Sequence, residues 1–103
     1  MQEFIYVLRP TRLDMLTGGP TPEEVAALDE HFGYLTGLLE AGVMILFGRT
    51  QTTDERTFGI VVFEATGEDA ARKLMETDPA VKRGVMTAEL LPYKVAGLRG
   101  AAG

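Results

Sequence analysis

The chain has one histidine and neither cysteine nor serine in its 103 residues, which narrows the chemistry it can do. Cysteine nucleophiles, thiolate zinc sites and disulfides are excluded together, and so is a serine triad. His31 is therefore the one imidazole, the side chain that most readily exchanges a proton near neutral pH. The residue that could complete it is Asp78, in the step Thr77-Asp78-Pro79. A carboxylate beside an imidazole fixes its tautomer and favours the imidazolium, giving an acid or base that works near neutrality. Tyr34, one turn beyond His31, is a candidate proton donor or pocket residue. Arg9, Arg12 and Arg49 are candidates for holding an anionic substrate. Each also has a plainer reading. His31 suits a half-buried helix histidine with one hydrogen bond, and Asp78 suits a helix stop before proline. Tyr34 suits amphipathic packing, and the arginines suit surface solvation. Arg72, Lys73, Lys82 and Arg83 bracket Asp78, as charges around helix ends commonly do. No metal site is expected, because one histidine and no acidic cluster make a poor ligand set. Gly18-Gly19 is not followed by a phosphate-binding pattern.

The element that must position His31 runs from Thr21 to Gly42. Thr21 and Glu24 form a T-x-x-E capping box, Pro22 fits the first helical position, and Gly42 can take the left-handed stop. Val25, Leu28, Phe32, Leu35 and Leu39 recur at helical spacing and are expected to be its buried stripe. His31 falls beside that stripe, on the flank of Glu24, Ala27 and Leu38.

Around this helix the chain alternates between two periods. Residues 3–9 alternate as a strand, and residues 10–20 read as a loop. Residues 43–47 and 58–65 read as strands joined by the polar stretch 48–57. A second helix is expected from Thr66, with Thr66 and Asp69 as its capping box and Ala70, Ala71, Leu74 and Met75 inward. Asp78-Pro79 ends it, a short turn covers Ala80–Arg83, and residues 85–95 form a last strand that Pro92 assigns to a sheet edge. The order β-α-β-β-α-β predicts an α+β, ferredoxin-like sandwich with an antiparallel sheet and two helices on one face. In that topology the end of the second helix meets the first half of the His31 helix, bringing Asp78 and His31 to one end.

All four strands carry apolar residues on both faces, and two helices cover one. The expected cover for the other face is a second copy, sheet against sheet, pairing the sandwiches as a dimeric α/β barrel; loops 10–20 and 48–57 folding across it are the alternative. The composition, 46% hydrophobic and 24% charged, is that of a soluble globular protein. A net charge of −5 argues against nucleic acid and anionic membrane as partners. No apolar run could span a membrane, and the N-terminus is not a signal peptide. A cytoplasmic location fits the absence of cysteine. Residues 1–96 are expected as one domain, with 97–103 a flexible C-terminal tail.

The stretch His31-Phe-Gly-Tyr-Leu-Thr-Gly-Leu-Leu-Glu-Ala-Gly42, followed by Thr77-Asp-Pro-Ala-Val-Lys-Arg-Gly-Val85, resembles the YCII-related family. The resemblance spans about residues 3–95. It implies a dimeric α/β barrel, no cofactor, and a His–Asp site falling on His31 and Asp78. One branch of that family dehydrochlorinates a chlorinated hydroxyquinol, an elimination that needs acid–base help. The chain departs at Gly48-Arg49, where glycine-proline is common, and this bears on the shape of the site mouth. Three functions follow as alternatives: a cofactor-independent lyase or isomerase acting on a small molecule through His31 and Asp78; a binding dimer for a small-molecule ligand or a partner, without chemistry; and a cofactor-free monooxygenase on the same barrel, which the absence of Trp disfavours.

Overall fold

The structure, a computed structural model, describes residues 1–100. The elements are β1 (Gln2–Pro10), α1 (Asp14–Thr17), α2 (Pro22–Glu40), β2 (Met44–Arg49), β3 (Gly59–Ala65), α3 (Glu68–Thr77), α4 (Pro79–Lys82) and β4 (Met86–Pro92). The strands form one sheet in the order β2-β3-β1-β4, with every neighbouring pair antiparallel. This is the ferredoxin-like α+β fold, and β4 lies at an edge, where Pro92 costs no ladder hydrogen bond inside the sheet. Residues 101–103 of the expected tail lie outside the described residues.

The core follows from strand alternation. Phe4, Tyr6 and Leu8 of β1 lie on the same side as Val61, Phe63 and Ala65 of β3, and pack with Met44, Leu35, Ala71 and Met75. The Phe63 ring stacks with Phe4 at 6.0 Å and meets the edge of Tyr6 at 5.7 Å. The opposite parity, Ile5, Val7, Ile60, Val62, Leu46 and Leu91, makes a second apolar face without a helix.

Helix α2 begins as its sequence requires. The Thr21 hydroxyl accepts from the Glu24 N–H, and the Glu24 carboxylate accepts from the Thr21 N–H at 2.8 Å. Gly42, at φ +76°, and Gly84, at φ +75°, take the left-handed turns that stop α2 and α4.

The structure corrects four expectations. First, α2 is rotated towards its flank: of the expected stripe Leu35 is buried and Leu28 half-buried, but Val25, Phe32 and Leu39 are exposed, while Glu24 and Ala27 are buried and Tyr34 and Leu38 pack on the core. Second, the 10–20 loop contains α1, which buries Met15. Third, α3 starts at Glu68 from Gly67, without the Thr66–Asp69 box and with Ala70 exposed. Glu68 and Asp69 instead place negative charge in the first turn, where the helix dipole favours it. Fourth, β2 carries a bulge between Met44 and Leu46, so that Met44 and Phe47 pair with the inward residues Phe63 and Val61. Unbroken alternation would have put Met44 and Phe47 on opposite faces.

Candidate functional site

A cavity of about 550 Å³ opens between α2 and one end of the sheet, where β1 and β2 finish and β3 and β4 begin. Its wall is largely apolar, with Leu8, Leu28, Leu35, Phe47, Val61 and Met86, and α1 contributes Met15 and Leu16. His31, Arg49 and Thr57 supply polar side chains to the lining. Gly59 lines the floor in register with Leu8 and Arg49. A Cβ on Gly59 would stand 3.3 Å from the Gly48 carbonyl oxygen and 3.7 Å from the Arg49 Cβ. The missing side chain is thus part of the space.

His31 reaches from the middle of α2 to the junction of α3 and α4. Its Nδ1 lies 2.7 Å from Asp78 Oδ1. Asp78 is fully buried, and the backbone explains why it can be. Pro79 forces it out of helical torsions (φ −57°, ψ 122°), so it ends α3 and caps α4, with Oδ1 accepting from the Ala80 N–H at 2.9 Å. Oδ2 accepts from the Tyr6 hydroxyl at 2.8 Å. Three donors from three elements therefore converge on one carboxylate. As an acceptor-only group, ionised Asp78 requires the imidazole to carry its proton on Nδ1, which leaves Nε2 as the free ring nitrogen. Nε2 has no hydrogen-bond partner among the described residues. No buried side-chain nitrogen or oxygen among them is unpaired, so Nε2 is open to solvent.

Tyr6 is the site residue that sequence reading missed. In an alternating strand it looks like ordinary core. The signal was a phenol at a position that could not be buried without a partner. Burial, and then the Asp78 charge, raise its pKa far above the usual range, so it remains a donor. The Tyr34 hydroxyl donates to the Leu74 carbonyl at 2.7 Å and ties α2 to α3. Burial and Asp78 push its pKa up to about 12. Tyr34 does not line the cavity.

The three arginines separate. Arg49 lines the cavity. Arg9 has the parity of the open sheet face and lies over the Phe58 ring, 5.6 Å from its centroid. Arg12 grips Glu24 through two hydrogen bonds, at 2.6 and 3.0 Å, and touches the Gly19 carbonyl, fastening the 10–20 loop to the start of α2. Arg12, together with the Thr21 N–H, holds the Glu24 carboxyl down at about 2. Thr57, buried at the cavity wall, ends a hydroxyl chain through Thr52 to Thr50, each step 2.7 Å, which orders the β2–β3 connection. Among the described residues no group of three or more His, Cys, Asp or Glu could hold a metal ion, and no helix is long and apolar enough to cross a membrane.

Fold and geometry together define a small ferredoxin-like protein with a histidine–carboxylate pair at a cavity between helix and sheet. The chain belongs to the YCII-related family: the YCII-related domain matches residues 5–94. No curated protein sequence matches it. Among solved structures it is similar to the 5-chloro-2-hydroxyhydroquinone dehydrochlorinase TftG from Burkholderia phenoliruptrix AC1100, in complex with 2,5-dihydroxybenzoquinone. The TM-score is 0.62 and the identity 21%, over 88% of this chain and 93% of that one. This likeness shows a shared fold. Two others are SnoaB, a cofactor-independent oxygenase from Streptomyces nogalater (TM-score 0.49, 13% identity, 97% of this chain and 99% of that one), and a dimeric ferredoxin-like protein from an uncultured marine organism (TM-score 0.47, 16% identity, 95% and 97%).

Proposed function

We propose that the chain is a small cofactor-independent enzyme of the lyase or isomerase type, with His31 as its proton-transferring group. The observation that supports this most is the pairing of Nδ1 with a buried, fully hydrogen-bonded Asp78 while Nε2 stays open in a residue of the cavity wall. In this reading Nε2 takes a proton from substrate carbon. The C–H electron pair then forms a double bond, and either a leaving group departs with its own pair or the imidazolium returns the proton to another carbon. Asp78 stabilises the imidazolium as it forms and holds the ring in place, and Tyr6 positions Asp78. The apolar wall keeps bulk water away from the reacting carbon. A dehydrochlorinase on the same fold, TftG, is an elimination enzyme and agrees with this chemistry.

The second reading is a binding dimer without chemistry, which the structural duty of Asp78 as the α4 cap favours. A screen of enolisable carbonyl compounds and halogenated hydroxyarenes distinguishes the two, followed by NMR in D₂O for elimination, isomerisation or deuterium uptake. Turnover by wild type that vanishes in His31→Ala is expected. Binding without turnover, or equal turnover in His31→Ala, would overturn the enzyme, and turnover that requires dioxygen would point to a monooxygenase.

The same proposal includes a homodimer through the open sheet face. Val7, Ile60 and Val62 lie together there, and a second copy is the economical cover. Sedimentation should report roughly twice the 11.2 kDa chain mass. Val7→Lys should dissociate the pair, and a wild-type monomer at micromolar concentration would contradict it.

A further inference from the structure

We infer that the cavity takes an apolar molecule bearing one delocalised oxyanion, a carboxylate or its equivalent, and that Arg49 selects it. The inference rests on the reading that the cavity is a ligand site. The cavity and the rest of the chain differ in charge. The chain carries 15 acidic and 10 basic residues, yet no carboxylate lines this cavity. The acid behind it, Asp78, is closed off beneath His31, with Oδ1 and Oδ2 already committed to three donors.

Against that apolar wall stands one guanidinium. Arg12, Arg56, Arg72 and Arg83 are each engaged by a carboxylate, of Glu24, Asp54, Glu68 and Glu30 respectively. Arg49 has neither an ion pair nor a side-chain hydrogen bond among the described residues. Register fixes its side. Arg49 pairs with Gly59, which pairs with Leu8, and Leu8 is buried on the helix-covered face. The Arg49 Cβ would lie 3.7 Å from a Cβ at Gly59, so the two positions project the same way. The bare glycine leaves the guanidinium stem room to lean across the mouth. A planar guanidinium beside apolar walls suits a planar oxyanion, which it grips with two parallel hydrogen bonds. The wall accepts the apolar body, and the volume falls within the usual range for small-molecule sites.

The test uses two probes of one shape, 2-naphthoate and 2-naphthamide, titrated into the whole chain and followed by the His31 ring protons and backbone amide spectra. Wild type should bind the naphthoate about tenfold more tightly than the amide. Arg49→Leu should bring that preference to about twofold or less, with backbone amide dispersion like that of wild type reporting that the variant is folded; Arg49→Lys should keep only part of the preference, because an ammonium supplies the charge without the two-pronged grip. Equal affinity of wild type for both probes, or a preference that survives Arg49→Leu, would overturn the anion inference and leave the cavity reading standing. If neither probe moves the His31 resonances or the amides of the cavity wall, both fall.

Discussion

Two carboxylates serve helix α2, and they are held in opposite ways. Glu24 sits at the start of the helix, itself nearly buried, where the solvent-exposed Arg12 and the Thr21 N–H answer its charge. Asp78 sits under the middle of the helix, fully buried, with a phenol, a backbone amide and an imidazole as its donors. The first arrangement joins an anion to a permanent cation and closes a cap, which is a way to hold a loop. The second gives a buried anion a partner whose charge can change. A carboxylate so placed stabilises whichever state of His31 carries a proton on Nδ1, and that is what a proton-transfer site needs. In the proposed reading, that difference separates fastening from chemistry more sharply than residue type does.

The largest expected effect follows from breaking the buried member. Asp78→Ala strands the Tyr6 hydroxyl, the Ala80 N–H and His31 Nδ1 in a dry junction and removes the α4 cap. Chemical denaturation should show a loss of about 3–5 kcal/mol. Asp78→Asn keeps the shape but offers His31 an amide; if the proposed reaction is found, its rate should fall about 10²-fold or more. A near-neutral Asp78→Ala would mean the junction is not sealed.

Next in size is the test of which face of α2 is inward. Leu35 is 1% exposed and Phe32 is 62% exposed. Leu35→Ala should cost about 2–5 kcal/mol, and Phe32→Ala about 1 kcal/mol or less, mostly from its edge-on contact with Phe47 at 5.9 Å. Equal costs would restore the stripe that periodicity suggested.

That stripe shows where the sequence was legible and where it was not. The element order, the Thr21–Glu24 box, the Gly42 stop and the edge position of Pro92 are local signals, and local physics decided them. Topology brought Asp78 to the same end as the first half of α2, and the contact with His31 itself is seen only in the structure. Of the inward face of α2, Leu35 followed from hydrophobicity and the rest did not. Leu28 and Phe32 line a cavity rather than the core, so they look apolar without being buried in it. Ala27 and Tyr34, which do pack inward, carry weak apolar signals. The β2 bulge and the partnership of Tyr6 with Asp78 depend on contacts between strands and helices distant in sequence, and no spacing within one element encodes them.

The smallest effects belong to Glu24. Folding lowers its pKa from 4.5 to about 2. Its contribution is therefore complete above its ordinary value and is lost as pH falls through about 2. Glu24→Gln should melt below wild type at pH 6, and the two should converge as the pH is taken down towards 2. Thr21→Ala, which removes the other half of the box, should cost about 1 kcal/mol. A Glu24→Gln gap that persists at low pH would mean that the charge is not what Arg12 holds.

One proton decides the proposed chemistry: Asp78 must keep it on Nδ1 and leave Nε2 free. Long-range ¹H–¹⁵N correlation reads this directly, because the chain contains a single histidine. In the neutral ring of wild type, the spectrum should show the Nδ1–H tautomer, with Nε2 unprotonated, and Asp78→Asn should shift the population towards Nε2–H. A neutral wild-type ring protonated on Nε2, unchanged by Asp78→Asn, would mean that Asp78 does not set the tautomer and that His31 is not the proposed base.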